Sequence, residues 1–214
     1  MPLPDPNQLI VEGVDDLHAV VGLMRNHMVW TDAPRPVEIK IGKSASEILE
    51  AAYLPTAFKQ SGLVALGVIL DADDVFESRW AGVKRFCEQF FEDVPAILPV
   101  EGLVLENSDG KRCGVWIMPD NSSAGMLETF CKQLVPPECA STWQLATQSI
   151  ESAREAGAPW RDAHKEKALI HTWLAWQDPP GEKIGISITR KVLDPHSQSA
   201  QPFVRWFKNL YKIA

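Results

Sequence analysis

The chain has 214 residues, of which 45% are apolar and 23% charged, with a formal charge of −7. That composition is globular and excludes a disordered, collagen-like or coiled-coil chain. The acidity argues against a protein that coats nucleic acid over its whole surface, and no apolar run approaches the ~18 residues of a membrane span.

The N-terminal MPLPDPNQ has neither the basic region nor the apolar stretch of a signal peptide, so a cytoplasmic location is expected. Leu9 to Val11 is a short apolar strand. Asp15 to Met28 follows as an amphipathic helix with Leu17, Val20, Val21 and Met24 on one face. Val37 to Gly42 alternates like a second strand, and Ser44 or Ser46 caps a helix through Glu47 to Tyr53. The apolar run Leu63 to Leu70 suits a central parallel strand covered on both faces. Val75 to Phe91 is a long helix striped by Phe76, Trp80, Val83, Phe86 and Phe90. GLVLEN and RCGVWIM flank Ser108-Asp109-Gly110, a hairpin signal. Beyond Asn121, Met126 to Leu134, Ser141 to Ala156, Asp162 to Trp176 and Gln201 to Lys212 are helical, and Ser187 to Asp194 is a strand or an extended link. The expected fold is an α/β core over residues 1–121, a parallel sheet flanked by helices, with a mainly helical elaboration at 122–214 packed on it as one structural domain.

Cys87, Cys113, Cys131 and Cys139 form no CxxC pair and have no histidine placed to complete a zinc site, so they are expected as free thiols. Ile41-Gly42-Lys43-Ser44 imitates the end of a P-loop, but Val37 stands where its first glycine is needed, so ATP binding is not expected.

Acids follow the strands. The first strand runs into Glu12-Gly13-Val14-Asp15-Asp16, the third into Asp71-Ala72-Asp73-Asp74, and CGVWIM into Pro119-Asp120-Asn121. Ligands of open α/β sheets bind outside the carboxyl ends of the strands. If these strands are neighbours, Glu12, Asp71, Asp73 and Asp120 converge there, and carboxylates so close require a counter-charge. Mg²⁺ or Mn²⁺ suits oxygen ligands of this kind. Extended geometry turns Asp71 and Asp73 to one side, and Gly13 eases the turn into the helix. Asp16 either reaches a second ion or serves the helix N-terminus, and a lone strand-end acid is by itself more often a cap.

VEGVDD, followed by a strand ending in DAD, resembles the Toprim domain of topoisomerases, bacterial primases, recombination-repair proteins and OLD-family nucleases. The resemblance implies a Rossmann-like Toprim sheet in which Glu12, Asp71 and Asp73 bind Mg²⁺ or Mn²⁺ for phosphoryl transfer, with Asp16 as the extra acid of OLD-type members. GVWIMPDNSSAGMLETF, ALIHTWLAWQDPPG and LDPHSQSAQPFVRWF also resemble a bacterial family of small stand-alone Toprim-like proteins, for which the resemblance implies a fold and a metal site rather than an activity. OLD-type enzymes use a late lysine near the phosphate, for which Lys191, then Lys183, is the candidate beside the simpler reading of a surface lysine. Glu128 either contributes to a second ion or favours a helix N-terminus.

The leading expectation is therefore a metal-dependent phosphodiesterase acting on DNA or RNA, with Glu12, Asp71, Asp73 and Lys191 catalytic and Asp16, Asp120 and Glu128 assisting a second ion. A non-catalytic partner or regulator and a primase-type nucleotidyl transferase are the alternatives. The tail 183–214 carries Lys183, Arg190, Lys191, Arg205, Lys208 and Lys212 against Asp194, and is expected to hold a phosphate backbone or to be a solvated face. With no P-loop here, energy-driven activity needs a separate ATPase protein, which Phe203, Trp206, Phe207 and Tyr211 either dock or, closing the core, do not meet.

Overall fold

The computed structural model describes residues 5–213. Five strands form one sheet in the order β2-β1-β3-β5-β4. They are β1 (Asn7–Val11), β2 (Glu38–Ile41), β3 (Ala65–Asp71), β4 (Leu103–Glu106) and β5 (Arg112–Met118). β1 pairs in parallel with β2 and β3, β3 pairs in parallel with β5, and β4 closes the edge antiparallel to β5 as the hairpin signal requires. The chain is thus α/β, with a mostly parallel sheet flanked by helices.

One face of the sheet carries α1 (Val14–Met24), α5 (Leu127–Lys132), α8 (Ile184–Thr189) and α9 (Gln201–Tyr211) in a core with Leu9, Ile69 and Trp116. α6 (Ala140–Glu155) and α7 (Lys165–Leu174) extend that core through Ile150, Ile170 and Trp173. The other face is covered by α2 (Ala45–Ile48), α3 (Tyr53–Phe58) and α4 (Phe76–Cys87), packed on Leu66, Val68 and Ile117. Helices on both faces explain why β3 and β5 are apolar almost throughout rather than alternating. Ser44 caps α2, its hydroxyl accepting the Glu47 N–H at 3.3 Å. The helix expected through Tyr53 breaks after Ile48 and restarts as α3.

α9 lies directly on the sheet. Gly67 and Gly114 face each other across β3 and β5, and a Cβ on either would collide with Tyr211 or Leu210. Phe203, Trp206, Phe207 and Tyr211 are all buried, the Trp206 indole donating to the Leu103 carbonyl and the Tyr211 hydroxyl to that of Gln8. These four residues close the core and are covered by the chain itself.

Ser187 to Asp194 is neither strand nor extended link, since Ile184–Thr189 is helical and a turn follows it. Its β-branched composition favours a strand, but Gly185 packs against His18 and Gly22 so closely that a Cβ at Gly22 would stand 2.3 Å from the Gly185 carbonyl oxygen. That helix-to-helix contact with α1 overrides local propensity. Cys87, Cys113 and Cys131 are buried, Cys139 is half-buried, and all four are free thiols.

Candidate functional site

The chain leaves β1 for β2 on one side and returns to β3 on the other, so the carboxyl ends of β1 and β3 form the switch point of the sheet. A cleft of about 190 Å³ opens there, lined by Glu12, Asp15, Asp16, Asp71, Glu128, Lys43 and Lys167 among others.

Glu12 follows β1 and is tied down by backbone amides. Its Oε1 accepts from the Asp71 N–H at 2.8 Å and its Oε2 from the Ala45 N–H at 2.9 Å, linking β1, β3 and the start of α2. Asp16 lies in the first turn of α1, is 8% exposed, and accepts the Gly13 N–H through Oδ2 at 2.9 Å. Gly13 itself has an extended backbone open to any residue (φ −137°), so its role is not the turn. A Cβ there would press to 3.2 Å from the same Asp16 oxygen. Asp71 ends β3, and its Oδ1 accepts the Leu127 N–H at the start of α5 at 2.9 Å. Glu128 is the next residue of α5, 4% exposed, with Oε1 3.2 Å from the Lys167 ammonium of α7.

Four carboxylates are therefore gathered by α1, α5 and two neighbouring strands. Burial, then the charges of Asp16, Glu12, Glu128 and Asp73, push the Asp71 carboxyl up to about 9. Burial, with Glu12 and Glu128, brings Asp16 to about 7 against the stabilising Gly13 N–H. Burial also raises Glu12, opposed by its two backbone amides. The Glu128 charge beside Lys167 raises the ammonium above its usual range.

The other sequence candidates lie elsewhere. Asp73 does not continue the strand's alternation. Its backbone is left-handed (φ 51°), it bridges to Gly125 on an adjoining loop, and its Oδ2 accepts from Arg79 at 2.6 Å. It borders a neighbouring cleft of about 310 Å³ with Asp74, Thr129 and Lys165. Its charge still reaches Asp71 and Glu12. Asp120 folds back on its own turn, accepting from the Ser122 N–H and hydroxyl and the Ser123 N–H, and these bonds outweigh burial to hold its carboxyl below the usual range. Lys191 is exposed in the turn after α8. α8 runs alongside α1 in the same direction, with Gly185 at His18 and the Ile188 carbonyl accepting from Asn26. Lys191 thus lies toward the far end of α1, whose last residue, Met24, is about 12 Å along the helix from Asp16. In the basic tail, Arg190, Arg205 and Lys212 pair with Glu182, Glu101 and Glu106.

Lys167 is the cation that sequence reasoning missed. It is one lysine of KEKALIHTWL, a segment whose pattern marks Leu169, Ile170, Trp173 and Leu174 as core but gives no sign of which lysine meets a carboxylate. Lys43, in the discounted P-loop imitation, also borders the cleft.

In donor chemistry the cluster fits a hard divalent cation. All its side-chain donors are carboxylate oxygens, and the second oxygens of Asp71 and Glu128 have no hydrogen-bond partner among the described residues. In geometry, no group of three His, Cys, Asp or Glu among the described residues stands as a ready-made cage.

The sequence model of the family described as "Protein of unknown function (DUF3226)" matches residues 6–212. The chain belongs to that family. No curated protein and no solved structure matches it. No helix among the described residues is long and apolar enough to cross a membrane.

Proposed function

We propose that the protein is a Toprim-type, divalent-metal-dependent phosphodiesterase acting on nucleic acid. The observation that carries this reading is the convergence of Glu12, Asp16, Asp71 and Glu128 on one cleft at the β1–β3 switch point, beside Lys167. Such a cluster is costly without a counter-charge. Glu12 and Asp71 would hold Mg²⁺ or Mn²⁺, with Asp16 and Glu128 on its α1 and α5 side. A bound ion supplies Lewis-acid polarisation of a phosphoryl oxygen and an attacking water of lowered pKa.

The chain's own groups do the rest. The backbone amides of Asp71 and Ala45 fix the Glu12 carboxylate, and the Leu127 amide fixes Asp71, so two carboxylates are held in place before any ligand arrives. Lys167 sets a positive charge at the cleft, where it can meet a phosphate oxygen, the role that Lys191 is too distant to fill. The Toprim pattern here is short of one member, because Asp73 is engaged by Arg79. That engagement favours the second reading, a non-catalytic Toprim-fold partner or regulator of an ATPase or nucleic-acid-processing complex.

Cleavage of plasmid, linear and single-stranded DNA and of RNA, with Mg²⁺ and with Mn²⁺, separates the two. Metal-dependent cleavage that Asp71→Asn abolishes supports the phosphodiesterase. Metal binding without cleavage of any substrate overturns it and leaves the regulator, and cleavage that persists in Asp71→Asn overturns the assignment of the reaction to this cleft.

A further inference from the structure

The sheet ends in β4 on one side and in β2 on the other. At the β4 edge, Glu106 pairs with Lys212 at the end of α9. In a parallel ladder, alternate residues turn both their N–H and C=O to the same neighbour. The Gly42 N–H donates to the Val11 carbonyl at 2.8 Å, so Glu38 and Lys40 address β1 while Ile39 and Ile41 face outward. Among the described residues, no backbone group of another segment bonds Ile39 or Ile41 on that side. An open edge of this kind is a template for another strand.

We propose that a second copy of this chain fills it, β2 pairing antiparallel with β2 of the partner about a two-fold axis at Ile39. Two independent features select this register. The outward-facing residues must be the ones that exchange bonds, and an axis at Ile39 pairs Ile39 with Ile39 and Ile41 with Val37. The same axis sets Glu38 of each copy opposite Lys40 of the other, at the positions where antiparallel side chains come closest. An axis moved to Ile41 keeps the bonding parity but sets Lys40 against Gly42 and Glu38 against Ser44, so both charge pairs are lost. Glu38 and Lys40 are half-buried, and Lys40 borders a cleft of about 440 Å³ with Tyr53, Thr56 and Gln60 that has room for the partner's side chains. Ile41, 42% exposed, is covered in the same contact. A strand this short falls below the ~1,200 Å² of a standard interface, so association depends on concentration. The dimer is independent of what the carboxylate cleft does.

The test is sedimentation equilibrium on the full chain with a charge swap, and a thermal melt of each variant to verify folding. The wild type forms a dimer of the 23.8 kDa chain as concentration rises. Lys40→Glu and, separately, Glu38→Lys place like charges across the axis and return the protein to monomer. The double variant E38K/K40E reverses both pairs and restores the dimer. Amide exchange gives a second readout, in which the Ile39 and Ile41 N–H groups become protected only as the dimer forms. The proposal is overturned by a wild type monomeric up to ~1 mM, the range of the weakest specific contacts. A dimer indifferent to either single variant, a folded but monomeric double variant, or a dimer in which Ile39 and Ile41 stay unprotected overturns it equally.

Discussion

Replacing Asp71 by asparagine should make the metal-free protein more stable, increasingly so as pH rises. The asparagine side-chain carbonyl can still accept the Leu127 N–H that Asp71 accepts at 2.9 Å, so the change removes charge and little else. The fold raises this carboxyl from 3.8 to about 9, which means that the folded state holds its proton more tightly than the unfolded chain does. For an acid shifted this way, the stabilisation is complete below pH 4 and is lost as pH climbs through the folded value near 9. Between pH 4 and pH 7 the loss spans about three units, or ~4 kcal/mol at ~1.4 kcal/mol per unit. Asp16 and Glu12 share the same repulsion and titrate with Asp71, so the net gain of Asp71→Asn at neutral pH should be nearer ~2 kcal/mol. For a chain of this length that is a rise of roughly 4–8 °C in Tm. Thermal unfolding from pH 5 to pH 9 in a chelator should show a gap that widens with pH. Saturating Mn²⁺ should then lift the wild type by ~3 kcal/mol at a hundred times its Kd and leave the variant unmoved, reversing their order. A variant less stable than the wild type at pH 8 in chelator, or a gap that does not change with pH, would refute the reasoning.

Lys167→Ala should reduce cleavage more than nucleic-acid binding, and should cost about 1–2 kcal/mol of stability because it leaves the buried Glu128 without its partner, which denaturant titration would report. Lys191→Ala should leave both cleavage and Mn²⁺ response unchanged, and a loss of activity there would move the phosphate site away from the cleft. Trp206→Ala removes a side chain that is 2% exposed and packed on Trp116 and Phe203, so it should destabilise by ~3–5 kcal/mol in the same titration. Duplex binding should show a shallow slope of about −2 to −4 in log affinity against log salt, set by a few phosphate contacts. A steep slope would mean that a broad basic face exists after all.

The sequence by itself determined the frame and half of the cluster. Period-two and unbroken apolar runs follow directly from whether one or both faces of a strand are buried, so β1, β3 and the β4–β5 hairpin were legible together with the acids Glu12 and Asp71 that end two of them. Asp16 was legible by its spacing, though as a ligand or as a helix-terminus acid. Glu128 was one of several candidates, and only the packing of α5 against the end of β3 brought it to Asp71 rather than to solvent. Strand alternation assigned Asp73 to the same side as Asp71, but alternation holds only while the backbone stays extended, and the left-handed turn at Asp73 sends its carboxylate to Arg79. Lys191 and Lys167 show the limit most clearly. Both are exposed, Lys167 within α7 and Lys191 in the turn after α8, and nothing in the local sequence marks which of them meets the cluster. The tertiary structure decides between them because α7 packs beside α5 and brings Lys167 to Glu128, while α8 follows α1 away from the cleft and carries Lys191 to its far end.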